Sequence, residues 1–189
     1  GGGGTKLTPY GENLINTYEI LRSEQKKFLE NLSQRTDINT GTLKDIRRLS
    51  MQISARNQIS GIVELITNGT VNAEVYIKLK SGYTIVSVIT NTAVSNLNLK
   101  LGDEVVAIFK SNTVLITTDI SLNISARNKL QGKVDSINKG EINSELIIDI
   151  GNGDKVASII TSNSIDNLKI KEGAQVSAII KASDVMIGK

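Results

Sequence analysis

The amino-acid sequence predicts a mainly β protein in which an N-terminal helical segment precedes two tandem OB-like β-barrels. Three observations predict it. The first is an internal repeat. Shifted by 71 positions, residues 53–117 lie on 124–188 without a gap, and 26 of 65 paired positions are identical. Self-similarity of this kind decides architecture before any single motif does. The second is the texture of each copy, in which short runs rich in Val, Ile and Thr alternate with Gly and Asn turns. The third is that residues before 53 break this texture and carry apolar side chains at helical spacing.

The elements follow in order. The chain opens on four glycines and reads as a fragment at its start. Thr8 can cap a helix that has Pro9 at its first position. Leu14, Tyr18, Leu21, Gln25, Phe28 and Leu32 then step by fours and threes, a heptad seam with one polar position. Such a seam serves a helix packed on its own domain or one that pairs with a second copy; a homodimer through residues 9–35 is expected. Leu43, Ile46 and Leu49 suggest a shorter second helix leading into the first barrel. These 52 residues form the first expected domain.

Residues 53–118 and 119–189 form the second and third expected domains. "AEVYIKL" and "SELIIDI" alternate as half-buried strands do. "SGYTIVSVIT" and "NGDKVASIIT" begin on a turn pair and continue extended. "DEVVAIFK" and "AQVSAIIK" follow Gly102 and Gly173, and "NTVLITT" and "SDVMIGK" are expected to close each unit. Only "TAVSNLNL" and "SNSIDNLKI" have room for a helical turn. Several short strands in about 65 residues describe a small closed barrel of the OB type.

Composition removes whole classes of chemistry. The 189 residues include no cysteine and no histidine. That excludes disulfides, thiolate or imidazole metal sites, cysteine nucleophiles and histidine acid–base work. No apolar run reaches the ~18 residues of a membrane span, and the N-terminus lacks a signal-peptide core. A cytoplasmic protein without membrane partners fits. No nucleophile–base pairing stands out, so an enzyme is not expected. Asp119, Asp149 and Asp154 fall in separate turns and read as solvated loop residues. A net charge of +3 permits an anionic partner without demanding one.

One phrase is written twice: "ISARNQISG" from Ile53 and "ISARNKLQG" from Ile124. Within the two repeats the only arginines are Arg56 and Arg127; every other basic side chain there is lysine. Arginine offers a rigid fork of donors suited to an oxyanion. Ser54 and Ser125 stand two residues before, and the backbone N–H groups between complete a donor-rich loop. The same phrase could equally be the start of a strand carrying a surface ion pair, and duplication copies structural residues as readily as functional ones.

Ser-Ala-Arg-Asn followed by Gly61, with Ile89-Thr90 and a strand-ending Lys110 downstream, resembles the Mop-type (molbindin-like, TOBE) molybdate-binding domain. Two tandem copies behind a helix resemble the C-terminal half of the molybdate-responsive transcriptional regulators. "GGGGTKLTPYGENLINTYE" is similar to the wing end and long helix of that family's winged helix-turn-helix domain, and "IRRLSMQISARN" to its approach to the first barrel. The resemblance covers essentially the whole chain.

It implies a molybdate or tungstate ligand, with no organic cofactor and no metal held by direct side-chain coordination. Carried over position by position, the first repeat supplies Ser54, Arg56, Thr90 and Lys110, with Ala93 where the family has a serine. The second supplies Ser125, Arg127, Thr161, Ser164 and Lys181. The resemblance also implies operator DNA as a partner, through a domain upstream of Gly1. A fully deprotonated tetrahedral dianion only accepts hydrogen bonds, and the proposed set is almost entirely donors. Hydrogen phosphate would need an acceptor, and the set holds no carboxylate. Two other readings compete. A molybdate-storage molbindin would share the barrels but not explain residues 1–52. A nucleic-acid-binding OB module would stack bases on aromatic side chains, and residues 124–189 hold none.

Overall fold

The computed structural model describes residues 8–35 and 53–189. They fall in two compact units, divided between Ser54 and Ala55.

Among the described residues of the first unit is a long helix, α1 (Pro9–Arg35). Thr8 caps it as expected: its carbonyl accepts from Glu12 N–H at 3.0 Å, and its Oγ1 from Gly11 N–H at 3.2 Å. Pro9 costs nothing there, because the first helical N–H has no partner within the helix. Leu14, Tyr18 and Leu21 lie exposed along α1. The side chains of Gln25, Phe28 and Leu32, and the expected second helix at Leu43, Ile46 and Leu49, lie outside the described residues.

The second unit, Ala55–Lys189, holds both repeats. In the first, β1 (Asn57–Asn68), β2 (Asn72–Leu79) and β3 (Thr84–Thr90) lead to a short helix, α2 (Asn91–Asn96). Then come β4 (Glu104–Phe109) and β5 (Leu115–Thr117). The second repeat runs β6 (Asn128–Asn138), β7 (Asn143–Gly151), β8 (Asp154–Thr161), α3 (Ser162–Asn167), β9 (Gln175–Ile180) and β10 (Met186–Gly188). Every ladder is antiparallel. The two sheets have the orders β10-β4-β1-β2-β3 and β5-β9-β6-β7-β8, and the architecture is OB-like.

Those orders correct one expectation. "NTVLITT" and "SDVMIGK" do not close their own units; they are exchanged. β5 of the first repeat pairs with β9 of the second, and β10 of the second pairs with β4 of the first. Each exchanged strand is pinned by the residue before it. Val114 and Val185 are both 1% exposed, a burial worth roughly 1.5–3 kcal/mol each. Their carbonyls accept from fully buried hydroxyls of the receiving repeat: Ser158 Oγ donates to Val114 at 2.9 Å, and Ser87 Oγ to Val185 at 2.6 Å. The C-terminal Lys189 then bonds the first repeat, through Asn98 carbonyl and the Asp103 carboxylate, both at 2.8 Å. Its hydrogen bond to Asp103 draws that carboxyl below its ordinary pKa.

The core is continuous through both repeats and almost wholly aliphatic, with Phe109 its one fully buried aromatic. Gly61 and Gly132 let β1 and β6 press against neighbouring strands. A Cβ on Gly61 would stand 2.5 Å from the Lys78 carbonyl oxygen, and one on Gly132 would strike the Asp149 carbonyl. Asp154 is not merely solvated, because its carboxylate accepts from Ser81 N–H of the first repeat at 2.8 Å.

Candidate oxyanion site

The Ser-Ala-Arg-Asn phrase bends at its serine and at its arginine and enters the first strand of each repeat at its asparagine, with Ala and Asn turned inward and Ser and Arg exposed. Asn57 and Asn128 point inward and are 2% and 1% exposed. Each amide spans to the other repeat and satisfies both backbone groups of one residue. Asn57 Nδ2 donates to Ala157 carbonyl at 2.9 Å, and Ala157 N–H donates to Asn57 Oδ1 at 2.7 Å. Asn128 does the same with Val86, at 2.9 and 2.7 Å. Val86 and Ala157 are themselves 71 positions apart, so the two clamps form a pseudo-symmetric pair. The asparagine therefore has a structural task that sequence reading overlooked; its recurrence at the same offset was the available signal.

With the asparagines turned in, Arg56 and Arg127 turn out, and their side chains are 60% and 51% exposed. Each crosses to a glutamate of the other repeat. Arg56 Nη2 donates to Glu145 Oε1. Arg127 reaches both oxygens of Glu74, Nη1 to Oε1 at 3.3 Å and Nη2 to Oε2 at 3.5 Å, and donates to the Tyr76 hydroxyl at 3.0 Å. Tyr76 in turn donates to Glu74 at 2.7 Å. The ion-pair reading of the phrase is thus present in the geometry. Glu74 and Glu145, identical at the 71-residue offset, stand beside the donor set without belonging to it.

The expected lysines sit beside the arginines. Asn57 pairs with Phe109, and Asn128 with Ile180, which brings the neighbours Arg56 and Lys110, and Arg127 and Lys181, to one end of each ladder. Lys110 and Lys181 are exposed and lead into 3-10 turns at Ser111–Thr113 and Ala182–Asp184. Those turns pack on β8 and β3 respectively, the strands that end at Thr161 and Thr90. The basic pair of one repeat therefore lies toward the threonine strand of the other.

Thr90 and Thr161 cap α2 and α3, accepting from Ala93 N–H at 3.1 Å and Ser164 N–H at 3.2 Å. A capping hydroxyl that accepts keeps its own hydrogen to donate. Thr161 shares a 2.7 Å hydrogen bond with the Ser164 hydroxyl; Ala93 gives Thr90 no such neighbour. Ser54 and Ser125 are exposed. No hydrogen bond links these threonines to the arginines or lysines among the described residues. Nor does any group of carboxylates there suit a metal ion.

The TOBE domain model matches this chain twice, at residues 53–116 and 124–187. The molybdenum transport protein ModE of Azotobacter vinelandii is 38% identical over 98% of the chain and 71% of its own length. The chain belongs to the ModE/Mop family. The DNA-binding transcriptional dual regulator ModE of Escherichia coli is 32% identical over 99% of the chain and 71% of its own length. Among solved structures, the cytoplasmic molybdate-binding protein ModG superposes with a TM-score of 0.71 at 41% identity, over 73% of this chain and 99% of that one. Like its family, the chain is not an enzyme, and no described helix is long and apolar enough to cross a membrane.

Proposed function

We propose that the chain is the molybdate- and tungstate-sensing module of a molybdenum-dependent transcriptional regulator, its effector and dimerisation part, working in the cytoplasm. The observation that carries this reading is the pair of exposed arginine–lysine ends, 71 positions apart, each set toward a threonine-capped turn of the other repeat. Arg56 and Lys110 would act with Thr161 and Ser164, and Arg127 and Lys181 with Thr90, while Ser54 and Ser125 add hydroxyls. Arginine, lysine and hydroxyl groups offer the donors that a dianion with acceptors only requires. The exposed Leu14, Tyr18 and Leu21 of α1 suit a homodimer helix. Operator DNA would be engaged by a domain upstream of Gly1. A storage role without DNA is the second reading, favoured by the likeness to ModG across nearly all of that protein.

Titration calorimetry with molybdate, tungstate and sulfate tests the ligand. Tight heats for the first two and weak ones for sulfate are expected; equal heats for sulfate would remove the reading. Arg56→Lys and Arg127→Lys keep the charge but lose the fork. Each should weaken binding at its site by about 1.5–3 kcal/mol, and the double variant should show no binding at micromolar ligand. Light scattering tests the homodimer, and a monomer at micromolar concentration would assign the α1 seam another use.

A further inference from the structure

Glu74 and Glu145 are absent from the donor set, yet each holds one of its arginines. They are equivalent residues in two copies that differ at most positions, and each makes its contact across the repeat boundary. We propose that these glutamates are built-in competitors for the oxyanion. Glu74 takes the guanidinium fork of Arg127 and Glu145 one nitrogen of Arg56, places that the anion would take, so binding is an exchange of one anion for another. This rests on the oxyanion reading above.

Three points favour exchange over simple stabilisation. Both arginines are more than half exposed, and ion pairs in such positions contribute little to folding. The two Arg127–Glu74 bonds, at 3.3 and 3.5 Å, are long beside the ~2.7–2.9 Å of a firm charge-assisted bond. Those two are loose enough to release; the Arg56–Glu145 bond is short, but it is single and engages one nitrogen of the fork. Finally, a dianion on the same guanidinium would have a carboxylate alongside, and like charges a few ångströms apart disfavour each other. The carboxylate must swing away for the anion to settle. The exchange also selects by charge. A monoanion replaces like with like, whereas a dianion brings twice the charge to the fork and to Lys110 or Lys181 beside it.

The test is calorimetric titration of the full chain, Glu74→Gln, Glu145→Gln and the double variant, with molybdate and with nitrate as a monoanion probe. Glutamine keeps the shape and removes the charge; Glu74→Asp and Glu145→Asp, which keep the charge on a shorter arm, guard against a folding defect, and thermal midpoints report it. Each glutamine variant should bind molybdate about two- to five-fold more tightly, the factor equivalent to an exposed ion pair. The aspartate variants should fall between parent and glutamine, and the double glutamine variant should gain nitrate binding. If the parent binds molybdate and the glutamine variants bind it equally or more weakly, the glutamates are positioning residues and the competitor idea is overturned, with the oxyanion reading intact. If neither parent nor variants bind molybdate, the oxyanion reading falls and takes the competitor idea with it.

Discussion

The two repeats share the asparagine clamps and serine pins that cross between them and differ in what surrounds the exposed arginines. Asn57 and Asn128 clamp Ala157 and Val86 with the same pair of bond lengths, 2.9 and 2.7 Å, and Ser87 and Ser158 hold the exchanged strands alike. Around Arg127 the first repeat supplies Glu74 and Tyr76; around Arg56 the second supplies Glu145 alone, with Ile147 where the tyrosine would be. Thr161 has Ser164 as a partner, and Thr90 has only Ala93. An unsatisfied buried polar atom is expensive wherever it occurs, so the buried amide and hydroxyl contacts that cross between the copies are kept in both. An exposed side chain carries no such penalty, and the surroundings of the two arginines are free to diverge.

The largest effect should come from removing residues 182–189. That deletes β10 and Val185 and leaves Ser87 without its acceptor. The damage should fall on the first repeat, although the cut lies in the second. A loss of at least about 3 kcal/mol is expected from the valine burial and the orphaned hydroxyl together. Hydrogen exchange should rise first in β4, and faster exchange in β9 instead would contradict the exchanged pairing.

Asn57→Ala and Asn128→Ala should come next, each costing roughly 2–3 kcal/mol in urea unfolding, because each frees a buried N–H and a carbonyl in the other repeat. Similar losses are expected from both. A much larger loss for one would show that the pseudo-symmetry is only geometric.

The smallest effect sharpens the comparison at the site. Ala93→Ser restores a hydroxyl beside Thr90 and should strengthen anion binding by about 0.5–1.5 kcal/mol. In a double-mutant cycle it should couple to Arg127→Lys and not to Arg56→Lys, since Arg127 is the arginine that crosses toward the first repeat. Coupling to Arg56 would return the sites to single repeats.

The strands, turns and α1 were legible because burial alternates along β2 and β7 and because Thr8-Pro9 marks a helix start locally. Arg56 and Arg127 stood out because the two repeats hold no other arginine, whereas Lys110 and Lys181, among many lysines, were singled out only by the family resemblance. The exchange of β5 and β10 was not. Leu-Ile-Thr and Met-Ile-Gly meet closely similar edges in either sheet, so local chemistry cannot say which one they join; the path of the chain decides. Glu74 and Glu145 were passed over for a related reason. On an outward strand position a glutamate looks solvated until the neighbouring copy brings an arginine to it.

The crossed strands also bear on how such a chain can change over generations. A tandem duplication usually leaves a spare copy that can be deleted once it decays. Here each half carries the piece that finishes the other, so excision of either would leave the survivor incomplete. Selection must keep both halves folded even where only one set of surface residues is under pressure, and a position such as 93 can wander to alanine inside a scaffold that is not free to lose it.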